Sequence, residues 1–298
     1  MDWIQTCPVN VCAGAQARRY EDPGGAGHPP HPCLTEAFQA FFGLFLVERI
    51  VEIHALCRGH HSLVERSRFL LFARVGIDAG QVQLVRDAGR FGHALRFTKK
   101  KSPMPFYRAL KNVPYRTNNW DGTVSFWLST DPIGELEPGF CDPIQITPRA
   151  WNDAGFFVEF EKRTNNIPFR LGVYADFKVW NPGNKKWQDV AQSEKSLAEV
   201  SSPPFARGKW THVVFTFENF NTGRDDGVAK LYLDGTHATT LSARKQTFTW
   251  DEEKCLIALG LSYIGLWDEL AVFNRALTTA EVQQLHRLNN GVRDLHAH

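Results

Sequence analysis

Alternating apolar and polar positions dominate the last third of this 298-residue chain, from Lys209 to Leu285. In Trp210 to Phe217 the apolar Val213, Phe215 and Phe217 fall on one side of an extended strand, because successive side chains point to opposite faces. Val228 to Leu233 alternates in the same way and runs into Asp234-Gly235. That dipeptide tolerates left-handed backbone at both central turn positions, so it predicts a two-residue hairpin. A third alternating run follows between Ile257 and Phe273, and then the period changes. Thr278 with Glu281 three residues later forms a capping box, which predicts a short helix from Thr278 to Leu288. Upstream, Phe156 to Phe160 and Phe169 to Tyr174 read as a strand pair around a Thr164-Asn165-Asn166 turn. The polar stretch Asn181 to Ser202, bracketed by Pro182-Gly183 and Pro203-Pro204, reads as a long surface loop or flap.

Residues 1–75 have a different texture and are set apart from a body at 76–298. They hold no lysine but are rich in arginine, histidine, proline and alanine. Glu21 to Pro32 is irregular by composition, whereas Ala37 to Phe72 spaces its apolar residues as a helix does. Three readings stay open for this extension: a helical appendage packed on the body, an over-extended start, or a disordered leader. Met1 to Arg19 lacks the basic start and apolar run of a secretion signal, and the apolar Ala37 to Val47 is too short to span a bilayer.

The run Phe91 to Phe97 (FGHALRF) and the run Thr123 to Trp127 (TVSFW) join Trp210 to Phe217 (WTHVVFTF), Ala229 to Gly235 (AKLYLDG) and Ile264 to Leu277 (IGLWDELAVFNRAL). In this order they resemble the laminin-G-like domain of the concanavalin A-like lectin/glucanase superfamily, over about residues 82–290. The resemblance implies an all-β fold: an antiparallel jelly-roll sandwich with a short C-terminal helix, preceded here by the irregular or helical extension. It also implies a non-catalytic binding module at the cell surface or outside the cell, for carbohydrate or an extracellular protein. Two alternatives share that fold: a glycoside hydrolase or lyase, and a structural or adhesion module that binds proteins.

Net charge is +2, with no basic stripe interleaved with aromatics, so nucleic acid is excluded as a partner. Of six cysteines, Cys7, Cys12, Cys33 and Cys57 lie in the first fifth of the chain. With His28, His31, His54, His60 and His61 they lack the tight ligand pairs of a zinc site. Cys141 and Cys255 are either a bridge or two buried thiols.

The glucanases of the superfamily carry an E-x-D-x-E strand, and the nearest approach here is Glu159-Phe160-Glu161. Its two carboxylates share a strand face, but the central aspartate and a third acid are missing, which argues against catalysis. No catalytic residue is assigned. Sugar sites stack rings on aromatic faces and hold hydroxyls with polar side chains. Arg170, Tyr174 and Trp180, joined by Trp151 and Trp187 and set near Glu159, Glu161 and Asn181, form the candidate ligand surface. The acid of Gly265 to Leu270, Asp268, occupies a hallmark position of the family. It is either a calcium ligand, with Asp121, Asp225 or Asp226 as loop partners, or a brace bonded to backbone or to His212. Calcium is the one cofactor under consideration, and His212 is expected in the core as part of that brace.

Overall fold

The computed structural model describes residues 54–56 and 81–296, apart from 101 and 103. In chain order the described strands are β1 (His54–Leu56), β2 (Val82–Gly89), β3 (Gly92–Phe97), β4 (Phe106–Arg108), β5 (Trp120–Ser129), β6 (Gly139–Thr147), β7 (Gly155–Lys162), β8 (Phe169–Tyr174), β9 (Leu197–Val200), β10 (Thr211–Phe220), β11 (Gly227–Leu233), β12 (Thr236–Arg244), β13 (Leu256–Leu261) and β14 (Gly265–Phe273). Two short helices, α1 (Phe177–Trp180) and α2 (Thr279–His286), complete the frame with 3-10 turns at Trp187–Asp189 and Gly291–His296.

The strands form two sheets, a jelly-roll sandwich as the resemblance implies. The first runs β12-β11-β10-β5-β14-β3-β2, and the second runs β4-β13-β6-β7-β8-β9. All neighbours are antiparallel except β1, which lies parallel to Ala271–Phe273 of β14. β3 pairs with β14 only at Gly265–Trp267, so the backbone groups beyond Trp267 need another partner on that side, and β1 supplies it. Residues 54–56 are therefore strand where the apolar spacing of Ala37 to Phe72 predicts helix. The rest of that segment, and the Cys7, Cys12, Cys33 and Cys57 group, lie outside the described residues.

Alternation fills the space between the sheets. Val213, Phe215 and Phe217 of β10 face Phe156, Val158 and Phe160 of β7 across one apolar core. At its centre stands Trp120, fully buried, edge-on to Phe217 at 4.7 Å, Trp250 at 4.9 Å and Tyr115 at 5.1 Å. Asp234 and Gly235 take φ of 50° and 76°, the left-handed pair that lets β11 turn directly into β12.

The outer face of β10 is also covered. Val214, Tyr232, Ala271 and Phe273 form a second cluster with Leu277, Val282 and Leu285, so α2 lies on the eight-stranded sheet. The capping box is present: Thr278 Oγ1 accepts the Glu281 N–H and the Glu281 carboxylate accepts the Thr278 N–H. Arg275 grips the same carboxylate at 2.6 and 2.8 Å, and those bonds pull its pKa down to about 2. The polar stretch Asn181 to Ser202 is only partly a loop, since Leu197–Val200 is an edge strand on β8. Its four residues are too few for alternation to stand out. Cys141 and Cys255 are buried free thiols, not a bridge.

Trp120 supports a direct test. Trp120→Ala opens a cavity between the sheets and costs about 3–5 kcal/mol in chemical denaturation. Trp120→Phe keeps a ring and removes an indole N–H that has no partner among the described residues, so its cost is smaller, about 1–2 kcal/mol.

Candidate functional site

On β7, Phe156, Val158 and Phe160 point into the core, which turns Phe157, Glu159 and Glu161 to the outer face of the six-stranded sheet. The antiparallel register sets Glu159 opposite Arg170 of β8. Arg170 uses its fork on both acids: Nη2 donates to Glu159 at 2.6 Å and Nη1 to Glu161 at 2.7 Å. Arg163 also bonds Glu161 and reaches Glu199 at 3.5 Å, and Phe140 lies 5.3 Å from the Arg170 guanidinium carbon. The predicted carboxylates and arginine therefore come together, but they spend themselves on one another.

This network is buried: Glu159 is 2% exposed and Arg170 7%. Burial pushes the Glu159 carboxyl up to about 7 against the pull of Arg170. Beside it lies Asp142, fully buried, held well above the usual carboxylate range by burial and by the Glu159 charge. Sequence reading missed Asp142. A bulge between Cys141 and Ile144 puts two residues between two core-facing positions, so simple alternation loses the face.

Farther along β8, the aromatic candidates gather. Tyr174 lies 4.9 Å from Trp180 at the end of α1 and 5.3 Å from Trp151, which in turn lies 5.1 Å from Trp187. The three tryptophans are half-buried, and Lys195 Nζ sits 4.5 Å over Trp187. Trp180 is pinned by its indole N–H to the Asn152 carbonyl at 2.7 Å. Between the aromatics and the ion network, the Phe157 ring lies across Gly172, where any Cβ would collide with it. Asn181 is not free for a ligand, because its amide closes the following turn onto the Lys185 backbone in both directions at 2.9 Å.

The other two candidates sit on the opposite sheet. Asp268 accepts the Phe91 N–H at 3.0 Å with one oxygen and the Glu269 N–H at 2.8 Å with the other. Asp121 accepts the Asn219 N–H, and Asp226 is engaged by Thr222 and Arg224. Among the described residues no group of three or more His, Cys, Asp or Glu gathers where a metal could be held. A hard cation takes six or more oxygens, and both Asp268 oxygens here accept backbone N–H groups.

His212 is 1% exposed, with Nε2 at 2.8 Å from Ser125 Oγ and its backbone N–H donated to Asp234 at 2.9 Å. Its ring stacks on Trp127 at 4.7 Å, and His286 of α2 stacks on the same indole at 5.4 Å. The Arg90 guanidinium caps Trp127 at 4.8 Å. Burial holds His212 neutral, with its pKa drawn down to about 3. Sequence reading had no sign of this stack beyond Trp127 itself, an indole turned outward between the core-facing Phe126 and Leu128.

The model of the concanavalin A-like lectin/glucanases superfamily matches residues 107–283, more than half the chain. The chain belongs to this superfamily. The adhesion G-protein coupled receptor D1 of Bos taurus is 30% identical over 149 residues, 47% of this chain and 16% of the receptor, so the chain spans a small part of that relative. Domain 4 of the GH43 extracellular arabinanase AbnA of Geobacillus stearothermophilus, solved with arabinotriose, is 17% identical, covers 70% of this chain and 82% of its own, and gives a TM-score of 0.42. The endo-β-1,4-glucuronan lyase of Trichoderma reesei is 14% identical over 68% of this chain and 89% of its own, at a TM-score of 0.44. The binding domain of botulinum neurotoxin serotype G is 13% identical over 70% of this chain and 44% of that one, also at 0.44. Among the described residues no helix is long and apolar enough to cross a membrane.

Two predictions follow the charges. The unfolded chain protonates a histidine near 6.5, whereas His212 stays neutral in the fold down to about pH 3. Stability therefore falls as pH drops through that window, by at most about 1.4 kcal/mol per unit, and His212→Gln flattens the slope in acid denaturation. Arg170→Met leaves Glu159 and Asp142 on a buried face without this cation and costs about 3–5 kcal/mol, part of which Glu159→Gln restores in the double variant.

Proposed function

We propose that this protein is a non-catalytic binding module that recognises carbohydrate on the outer face of the six-stranded sheet. The observation that carries the reading is the aromatic wall of Trp151, Trp180 and Trp187, packed on the buried Tyr174, beside the Arg170 network. Tyr174, fully buried, backs the three half-buried indoles and lies four residues along β8 from Arg170, roughly 13 Å away. The half-buried indoles offer stacking area at low entropic cost, and Glu161 and Arg163 at the rim offer hydroxyl partners. Glu159 and Arg170 act in this reading as a buried support that fixes the face. The hydrolase alternative asks for two carboxylates free to act on either side of a glycosidic bond, whereas Arg170 engages both members of the Glu159 and Glu161 pair. An extracellular or cell-surface setting is part of the proposal, supported by the superfamily and by the adhesion receptor relative. Asp268 serves as the brace that ties β14 to the turn at Phe91, and recognition does not depend on calcium.

A glycan array with the full chain, run with calcium and again with a chelator, tests this. The expected result is binding to a defined glycan class, insensitive to the chelator, with single-site affinity in the ~mM to ~μM range. Trp180→Ala and Trp187→Ala are each expected to weaken it by about tenfold, through loss of one stacking face. A blank array with folded protein removes the carbohydrate reading in favour of a protein partner, and loss of binding with the chelator restores the cation.

A further inference from the structure

Leu266 of β14 pairs with Arg96 of β3 on one side and with Ser129 of β5 on the other. Their neighbours Phe97, Leu128 and Trp267 point into the core, so Arg96, Ser129 and Leu266 stand in a row on the outer face of the eight-stranded sheet. This row is the floor of a cavity of about 500 Å³, walled by Ile264, Glu135 and Arg207. Its volume falls within the roughly 300–1,000 Å³ range of small-ligand sites. It lies on the sheet opposite the Trp180 surface.

The polar groups around it are unevenly committed. Arg207 donates its Nε–H to Asp131 at 3.0 Å, and Glu135 accepts the Asp131 N–H at 2.7 Å. Those contacts hold the wall and leave Arg207 largely neutralised. The Arg96 guanidinium has no hydrogen-bond or ion-pair partner among the described residues. The same holds for the hydroxyl of Ser129, a residue only 7% exposed. The hydroxyl of the nearly buried Ser129 and the exposed Arg96 guanidinium flank the apolar Leu266 from the two neighbouring strands, so an acceptor seated over Leu266 can meet donors from both sides.

The geometry points to a second binding site, for a small ligand that carries an oxyanion on a polyol body. Arg96 takes the carboxylate or sulfate as a fork, Ser129 and the second oxygen of Glu135 take hydroxyls, and Leu266 with Ile264 underlies the less polar face. Ionic recognition at an exposed arginine is weak and screened by salt.

The test is an equilibrium titration of the full chain, followed by ligand-observed NMR, with glucuronate, glucose 6-sulfate and neutral glucose. The proposal expects one or both oxyanions to bind, glucose to bind at least about tenfold more weakly, and Arg96→Gln to weaken the oxyanion by about tenfold. Arg96→Lys, which keeps the charge but not the fork, retains part of the affinity. The tighter of the two oxyanions is the anion the site prefers. Trp180→Ala leaves this binding unchanged even if it abolishes the array signal, so the two sites stand or fall separately. The proposal is overturned if neither oxyanion binds, if Arg96→Gln binds like the unaltered protein, if Arg116→Gln on a distant surface weakens binding as much, or if Trp180→Ala removes it.

Discussion

Trp120 stands at the start of β5 with its indole between the two sheets. It is edge-on to rings from β10, from the segment before β13 and from β7, including Phe156 at 5.6 Å. Phe156 in turn stacks on Phe248 at 4.8 Å and Phe220 at 5.7 Å. With Cys141 and Cys255 unbridged, the two layers are held by such contact, and close packing fixes the spacing and register of both sheets. Once inner faces are committed to the core, period-two geometry decides what each outer face can carry.

The two outer faces are solved differently. On the eight-stranded sheet, the central part of the face is closed by an apolar lid, with α2 seated on Val214, Tyr232 and Phe273, and the Arg90, Trp127 and His212 stack beside it. On the six-stranded sheet the cover is polar and aromatic. Arg170 holds Glu159 and Glu161 in a low-dielectric layer, and the tryptophans from two loops and α1 form a wall at the far end of the same strands. Replacing such a layer with apolar residues would often be neutral for stability, so its presence here is easier to understand as specificity of shape than as added strength.

Much of this was legible because it repeats. Val213, Phe215 and Phe217, the Asp234-Gly235 turn and the Thr278 and Glu281 cap each follow from local rules that tertiary packing did not override. Glu159 and Glu161 share a face for the same reason. The failures have local causes too. The Cys141 to Ile144 bulge breaks the parity that would have revealed Asp142. β9 is too short to alternate. β1 is strand because β14 has an unpaired edge, which is a property of a partner about two hundred residues away rather than of its own apolar spacing. Asn181 belongs to a turn, a role set by the Lys185 backbone rather than by side-chain type. The Arg96 and Ser129 pair escaped notice because only register, not sequence proximity, brings them to either side of Leu266.

The strand order also sets a timetable for synthesis. β5 is buried on both sides, yet its two neighbours are β10 and β14, and Thr123 pairs with Phe273 some 150 residues later. At a ribosomal rate of about 5–20 residues per second, this apolar strand waits roughly 5–20 s for β10 to pair one edge and roughly 8–30 s for β14 to pair the other. The hairpins of β6, β7 and β8 close locally in that interval, while the central strand stays a template for any other chain nearby. A delay between making the central strand and pairing it is thus written into the topology, at the strand that anchors the finished core.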